Sequence, residues 1–90
     1  MKHTDINVVL IARILGYIYE KGNATVSEIV KNIHVSYSTA RTYLMFMEDR
    51  NLVKVTRHGK KKIVEVTEKG IEYLSTMKKI FSIIGVYHLR

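Results

Sequence analysis

Side chains that can bind an anion are concentrated in two stretches of this sequence. The first stretch combines hydroxyl groups with one guanidinium, and its candidate binding residues are Ser36, Tyr37, Ser38, Thr39, Arg41 and Thr42. The second stretch is basic and holds Arg57, His58, Lys60, Lys61 and Lys62. Hydroxyl groups contact phosphate oxygens or base edges, and an arginine can pair bidentately with guanine in the major groove. The two stretches together predict a surface that binds an anionic partner, and phosphate groups are the candidate ligands.

The charge of the whole chain favours an acidic partner. Its 90 residues carry 15 Lys and Arg against 8 Asp and Glu, which gives a net charge of +7 and a pI of about 9.8. Such a balance indicates nucleic acid or an anionic membrane surface. A basic run by itself is more often a solvated surface, and Arg41 could instead form an ion pair with Glu48 or Asp49. Both alternatives stay open at this point.

Several classes of chemistry find no support in the sequence. Cysteine is absent, which excludes disulfides, Cys-ligated zinc and thiol catalysis. The histidines are scattered without an i, i+4 pair, so we expect neither a metal site nor a cofactor. The chain shows no paired acids, no nucleophile motif and no phosphate-binding glycine loop. We therefore expect that it is not an enzyme, and nothing indicates a small-molecule ligand.

The apolar run at residues 6–18 does not predict a leader or a membrane span. Asn7 and Arg13 interrupt the run, and no small-residue cleavage pattern follows it. The run is also shorter than the ~20 residues that a membrane helix needs. We expect no membrane partner and a cytoplasmic protein, or one in the host cytoplasm if its source is a virus.

Caps and apolar spacing predict three helices in the first half of the chain. They cover residues 5–21, 25–33 and 36–50, with a Thr25–Glu28 capping box at the start of the second helix and Ser36 as the cap of the third. The third helix is expected to bury its apolar face, formed by Ala40, Leu44 and Met47. Its opposite face then presents the hydroxyl groups and Arg41.

Residues 52–66 alternate as a hairpin, and residues 67–88 follow as a long C-terminal helix capped by Thr67. Pairing Val55 with Val64 and Val53 with Val66 places all four valines on one face of the hairpin. The same register puts Lys54 opposite Glu65. We expect a four-residue loop at 58–61 rather than a two-residue turn.

Two apolar surfaces predict contact with a second copy of the chain. The first helix is apolar on more than one side, and the last helix carries apolar residues at a mean spacing of 3.5. The expected dimer interface comprises Ile6, Leu10, Tyr17, Tyr73, Met77, Ile80, Ile84 and Tyr87. The alternative is that the last helix packs only on its own chain.

The order of helix, helix, helix, hairpin and helix is that of a winged helix-turn-helix. Residues 27–40, SEIVKNIHVSYSTA, resemble the pattern S-E-I-A-x-x-x-x-[LV]-S-x-S-T-[AV] of winged-helix transcriptional regulators, broadly of the MarR/ArsR type. Residues 67–70, TEKG, resemble the T-x-x-G that opens the helix after the wing in that family. The resemblance covers residues 6–77. His34 departs from the pattern, because glycine is frequent at that position of the turn.

The sequence as a whole predicts a single α+β domain over residues 1–90. It would have a three-helix core, a two-stranded wing and a C-terminal dimerisation helix. The resemblance implies a sequence-specific, homodimeric DNA-binding regulator. Within that family, the chain resembles small members from archaea or archaeal viruses. Two alternatives are an architectural protein that coats DNA without sequence preference and a winged-helix module that binds an acidic protein.

Overall fold

The computed structural model describes residues 5–85, and within them the chain forms four helices and three strands. In chain order these are α1 (Val8–Lys21), β1 (Ala24–Thr25), α2 (Val26–Ile33), α3 (Tyr37–Asp49), β2 (Val53–His58), β3 (Lys61–Val66) and α4 (Glu68–Ile84). The predicted α+β architecture is present, with a C-terminal helix after the wing. No helix in this part of the chain is long and apolar enough to cross a membrane.

The first helix begins three residues later than the apolar pattern suggests. Asn7 caps α1, because its Oδ1 accepts hydrogen bonds from the backbone N–H groups of Val9 (2.8 Å) and Leu10 (3.1 Å). An asparagine at this position satisfies N–H groups that have no partner within the helix. Gly22 ends the helix with a φ of 93°, a conformation that favours glycine.

The second helix begins with the predicted capping box. The Thr25 hydroxyl accepts from the backbone N–H of Glu28 (3.2 Å), and the Glu28 carboxylate accepts from the backbone N–H of Thr25 (2.9 Å). The same carboxylate pairs with Lys21 at 3.2 Å. The hydrogen bond from the Thr25 backbone, followed by Lys21, lowers the pKa of Glu28 below its usual value.

The turn between α2 and α3 passes through a left-handed residue. His34 has φ 64° and ψ 49°, and its N–H bonds to the carbonyl of Val30. Arg13 of α1 donates from Nη2 to the carbonyl of Ile33 (3.1 Å), which fixes the end of α2 from the side. Ser36 then caps α3 as predicted. His34 thus adopts a conformation that glycine would adopt with less strain.

The sheet has three strands, because residues 24–26, which the sequence predicts only as a short extended piece, supply a strand beside the two of the predicted wing. Its order is β1-β3-β2, with both pairs antiparallel, and β1 joins β3 through the pairs Ala24↔Val64 and Thr25↔Ile63. The predicted hairpin register is correct, since Val55 lies opposite Val64 and Lys54 opposite Glu65. The wing is therefore joined directly to the residues that start α2.

The predicted four-residue loop is wrong. The hairpin continues to the pair His58↔Lys61, which leaves only Gly59 and Lys60 in the turn. Gly59 has a φ of 63°, and two-residue hairpin turns require such a conformation at their first central position. The hairpin is longer because backbone pairing continues after the apolar alternation has ended.

The core lies around α1, which packs against α2, α4 and β3 of its own chain. The helix buries Ile11, Ala12, Ile14, Leu15 and Ile18. Its several apolar sides are thus largely covered within one protomer, so they do not by themselves require a second copy. Burial of each large aliphatic side chain contributes about 1.5–3 kcal/mol.

The base of the wing is closed where α4 begins. The Thr67 hydroxyl donates to the carbonyl of Asn51, and the Thr67 N–H donates to the carbonyl of Leu52 at 3.1 Å. The Thr67 hydroxyl also accepts from the N–H of Gly70 and so caps α4. A side chain at Gly70 would overlap the carbonyl oxygen of Leu52 and lie 2.6 Å from Cγ1 of Val66. This close approach gives the T-x-x-G spacing a physical reason.

Candidate nucleic-acid interface

The outer face of α3 carries polar and aromatic side chains that the core does not use. Tyr37 is 57% exposed, and Ser38, Arg41 and Thr42 are exposed beside it. The opposite face of α3 is buried and consists of Ala40, Tyr43, Leu44 and Met47. The helix therefore presents four of the predicted binding residues together on one free surface.

The other two predicted residues of this stretch hold the start of the helix. The Ser36 hydroxyl donates to Oγ1 of Thr39 at 2.9 Å and accepts from the Thr39 N–H at 3.1 Å. Thr39 is half-buried. Their hydroxyl groups are thus partly occupied within the protein, whereas the N–H groups of the first turn stay near the surface, where anions bind favourably.

Arg41 is free of ion pairs. In residues 5–85 the salt bridges join Lys21 to Glu28 and Arg50 to Asp49. Arg50 also lies 4.0 Å from the centre of the Phe46 ring. The alternative in which Asp49 or Glu48 neutralises Arg41 therefore does not occur within the described residues, and the guanidinium is available to another partner.

The hairpin divides the cations of the wing between its two faces. Side chains alternate along a strand, so Arg57 shares the face of Val55, and the register places Lys62 directly opposite Arg57. His58 and Lys61 form the next pair and lie on the other face, while Lys60 sits in the turn. Two of the five predicted wing residues are thus directed toward α3, and the remaining three lie elsewhere on the wing.

A cleft of about 210 Å³ separates α3 from the wing and has an apolar floor with a charged rim. Val26, Leu44, Val55 and Val64 are among its apolar lining residues. Arg41, Glu48 and Lys62 supply its charged groups. The structure therefore brings Arg41 of the first predicted stretch and Lys62 of the second onto one cleft.

Two lining residues of the cleft are Met45, which the helical pattern also places on the presented face of α3, and Glu48, which the sequence suggests only as an ion-pair partner of Arg41. They follow Arg41 at steps of four and three, a spacing that places all three on one side of a helix. That spacing is the signal in the sequence that adds Glu48 to the candidate site.

The seven expected dimer residues that lie within residues 5–85 fall into three groups. Ile6, Leu10, Tyr17 and Tyr73 are half-buried against the core of their own chain. Met77 is buried in that core, beside Leu74 and Phe81, so it leaves little surface for a second copy. Ile80 and Ile84 are exposed at 45% and 64%. Tyr87 lies outside the described residues.

Three further apolar side chains are exposed, one on α4 and two on α1. Ile83 is 82% exposed, between Ile80 and Ile84, and Val8 and Val9 are exposed at the start of α1. Exposed apolar side chains that recur on one helix, as the three isoleucines of α4 do, mark interaction surfaces. The i, i+3, i+4 spacing of the three isoleucines is visible in the sequence.

Comparison with known proteins identifies the same fold. A family model described as winged helix-turn-helix matches residues 5–85. No curated protein matches the chain in sequence.

Three solved structures illustrate the similarity in fold. MepR of Staphylococcus aureus, described as a transcription regulator of the multidrug efflux pump MepA, is 22% identical and superposes with a TM-score of 0.76 over 84% of this chain and 58% of its own. A MarR variant from E. coli in complex with operator DNA is 16% identical, with a TM-score of 0.74 over 86% of this chain and 56% of its own. A protein from Archaeoglobus fulgidus is 18% identical, with a TM-score of 0.72 over 86% of this chain and 85% of its own. The chain spans less than three fifths of MepR and MarR. At these identities the likeness concerns the fold.

Proposed function

The chain belongs to the winged helix-turn-helix family, and from this premise we propose that it binds double-stranded DNA and regulates transcription as a homodimer. The observation that carries the proposal is the position of Arg41 and Lys62 on one cleft between α3 and the wing. A free guanidinium on a protruding helix, beside a cationic hairpin, suits the major groove and the phosphates that flank it.

Helix α3 is the proposed reading element. Arg41 would pair with a guanine through its two terminal nitrogens, and Ser38 and Thr42 would contact neighbouring base edges or phosphate. Tyr37 and the first-turn N–H groups near Ser36 and Thr39 would bind backbone phosphate. These residues fit a helix that enters the major groove with its N-terminal half.

The wing is the proposed phosphate-binding element. Arg57 and Lys62 face the side of α3, and Lys60 and Lys61 extend to the tip of the hairpin. Contacts of this kind release condensed counterions, so they strengthen binding to every sequence and weaken as salt rises. The wing thus supplies affinity, while α3 supplies sequence preference.

The comparison structures support a DNA partner. A MepR structure holds an oligodeoxyribonucleotide, and the MarR structure holds operator DNA. These proteins share the fold of this chain, and α3 occupies the helix position that such folds direct into the groove.

The proposed dimer uses the exposed apolar ends of α1 and α4. Val8, Val9, Ile80, Ile83 and Ile84 would be covered by the second copy, together with the half-buried residues Ile6, Leu10, Tyr17 and Tyr73. A two-fold dimer presents two α3 helices to one face of a duplex. Half-sites one helical turn apart, ~34 Å, would then form an inverted repeat.

Selection of a random duplex pool against the purified protein tests this proposal. At about 150 mM salt, non-specific phosphate binding is already weakened, so an enriched inverted repeat is the expected result. Binding without any enriched sequence would instead support the architectural function. A folded dimer that retains no duplex would contradict DNA binding and support the protein-binding module.

A further inference from the structure

Two tyrosine hydroxyl groups hold adjacent residues at the start of α1. Tyr43 of α3 is 5% exposed, and its hydroxyl accepts a 2.8 Å hydrogen bond from the backbone N–H of Asn7. Tyr73 of α4 donates from its hydroxyl to the backbone carbonyl of Val8, also at 2.8 Å. Helices α3 and α4 are therefore joined through two consecutive residues of a third helix.

The segment between the two tyrosines is itself well fixed. The side chain of Asn7 caps α1 through the N–H groups of Val9 and Leu10. Val8 is the first helical residue, so a displacement of either residue disturbs the start of the helix. A shift of one tyrosine would therefore move this segment as a unit and with it the hydrogen-bond partner of the other tyrosine.

The hydroxyl of Tyr73 is held in the form that can donate. The ring is half-buried, and this burial raises the pKa of Tyr73 above its usual value. The hydroxyl group thus stays protonated throughout the physiological pH range, and the hydrogen bond to Val8 is kept.

Few other contacts connect α3 with α4. Helix α3 packs mainly against α2 and β2, whereas α4 packs against α1 and β3. Besides the core that both helices share, a further polar connection lies at the base of the wing, where Thr67 bonds to the carbonyls of Asn51 and Leu52. Tyr73 lies six residues after Thr67, about 9 Å further along α4. Two separated polar attachments restrict the angle between the two packed helices more closely than one attachment does.

We infer that Tyr43 and Tyr73 are positioning residues that fix the direction of α3 relative to α4 through Asn7 and Val8. The inference rests on the proposed function, in which α4 contributes to the dimer and α3 reads the DNA. In such a dimer, the angle between α3 and α4 in each protomer sets the separation of the two α3 helices. The two hydroxyl groups thereby determine which spacing of half-sites the dimer prefers.

The variants Tyr43→Phe and Tyr73→Phe remove the hydroxyl groups and keep the packed rings. Tyr19→Phe is the matched control, because Tyr19 is 55% exposed and its hydroxyl forms no hydrogen bond within residues 5–85. Loss of one hydrogen bond should lower the melting temperature by about 2–12 °C, so Tyr43→Phe and Tyr73→Phe should stay folded at room temperature, as should the control.

A first experiment measures the α3–α4 geometry without DNA. The chain has no cysteine, so Ser38→Cys and Ser75→Cys accept spin labels at exposed positions on α3 and α4. Labelled protein is diluted into unlabelled protein, and pulsed EPR gives the distribution of distances within one chain. We expect a narrow distribution for the parent and for Tyr19→Phe, and a broader one for Tyr43→Phe and Tyr73→Phe. Equally narrow distributions in all four proteins would overturn the inference.

A second experiment measures the preference for half-site spacing. The selected inverted repeat is lengthened or shortened by one and two base pairs, and a duplex with one half-site serves as the reference. The parent should prefer one spacing by about tenfold or more, since both helices must engage together. Tyr43→Phe and Tyr73→Phe should lose most of this preference and keep the affinity for one half-site, whereas Tyr19→Phe should keep both. Undiminished preference in both variants would overturn the inference.

The two experiments separate this inference from the proposed function. If the parent binds no duplex while the label distances still broaden in Tyr43→Phe and Tyr73→Phe, then the DNA-binding proposal fails and the positioning role of the tyrosines is supported.

Discussion

Arg57 and Lys62 lie directly opposite each other across the β2–β3 hairpin, on the face of the sheet that is turned toward α3. Like charges in this position destabilise a sheet by about 0.2–1 kcal/mol relative to neutral pairs. A polyanion beside the wing would remove the repulsion between them. The pair thus lowers the stability of the free protein in a way that favours an anionic partner.

Substitution of Lys62 by Gln should therefore raise stability while it lowers affinity for DNA. We expect a gain of about 0.2–1 kcal/mol in the free energy of unfolding, because the repulsion with Arg57 is removed. The slope of log K against log salt should fall by about 0.9 for each phosphate contact that is lost. Urea denaturation and duplex titrations at several salt concentrations measure the two effects.

The matched control for this prediction is Lys54→Gln. Lys54 lies opposite Glu65 in the same hairpin, so its replacement removes an attractive pair and should lower stability. Equal stability changes in Lys54→Gln and Lys62→Gln would contradict the electrostatic explanation.

Substitution of Arg41 by Ala should relax sequence preference. A bidentate arginine–guanine contact contributes about 1–3 kcal/mol of discrimination against a wrong base, and this difference should disappear at one position of the half-site. The check is the ratio of affinities for the selected operator and for single-base variants. Lys60→Ala is the contrasting variant, since loss of a phosphate contact weakens all sequences by a similar factor. An unchanged ratio in Arg41→Ala would show that α3 reads DNA through another face.

Substitution of Gly70 by Ala should destabilise the fold by about 3 kcal/mol, because the new methyl group would overlap the Leu52 carbonyl and Val66. Gly16→Ala is the matched control. No atom lies within 4 Å of the position where its methyl group would be, and Ala in a helix interior is better than Gly by about 0.5–1 kcal/mol. Chemical denaturation measures the change in the free energy of unfolding, which should fall in Gly70→Ala and rise in Gly16→Ala. An unchanged stability in Gly70→Ala would contradict the close approach at the base of the wing.

Replacement of two exposed isoleucines of α4 should dissociate the dimer without unfolding the chain. Burial of each isoleucine contributes about 1.5–3 kcal/mol, so Ile80→Ser combined with Ile84→Ser should raise the dimer dissociation constant at least about a hundredfold. Ile71→Ser is the control on the same helix, because Ile71 has similar exposure to Ile80 but lies near the start of α4, nine residues before it. Sedimentation velocity gives the mass of each protein. A parent that is monomeric at micromolar concentration, or a double variant that remains dimeric, would disprove this interface.

The capping box should give the protein a weak dependence of stability on acid pH. Because the folded state lowers the pKa of Glu28, the carboxylate stabilises the fold above the unfolded pKa of glutamate, about 4.3. This stabilisation is lost as the pH falls through the lower pKa of the folded state. Glu28→Gln keeps an acceptor for the Thr25 N–H and removes the titration, so its difference from the parent should shrink between about pH 7 and pH 3. Melting temperatures of both proteins across that range provide the measurement. A difference between them that does not change with pH would argue against a stabilising role of the Glu28 carboxylate.

Features that depend on near neighbours in the chain could be predicted from the sequence. The caps at Thr25, Ser36 and Thr67 act on N–H groups within three residues, so their residue types are sufficient. The register of the hairpin follows from valines that must share one face, such as Val55 and Val64. The wing cations and the exposed face of α3 follow in turn from these elements.

Features that depend on distant residues or on backbone alone could not be predicted. Two residues, Ala24 and Thr25, are too few to show a strand period, and their partners lie far along the chain in β3. The predicted four-residue hairpin loop is too long, because the apolar alternation of β2 ends at Val55 whereas backbone pairing continues through polar residues to His58.

The apolar residues of α4 face two different surroundings that their spacing does not distinguish. A spacing of three and four residues identifies an apolar face but not the surface that covers it. Leu74, Met77 and Phe81 face the core of their own chain, whereas Ile80 and Ile84 face outward. A sequence pattern cannot separate these two sets without the position of α1.

Thr25 is both the last residue of β1 and the cap of α2, so the sheet and the helix-turn-helix share one residue. Its strand partner Ile63 lies in β3, which leaves the ribosome only after α3 and β2 have been synthesised. During synthesis, α1, α2 and α3 can form early because their contacts are local. The pairing of Ala24 with Val64 can form only after β3 has been synthesised. Helix α3, which packs against α2 and β2, therefore reaches its final packing only when the wing has been made. The two parts of the proposed DNA-binding surface are thus completed together.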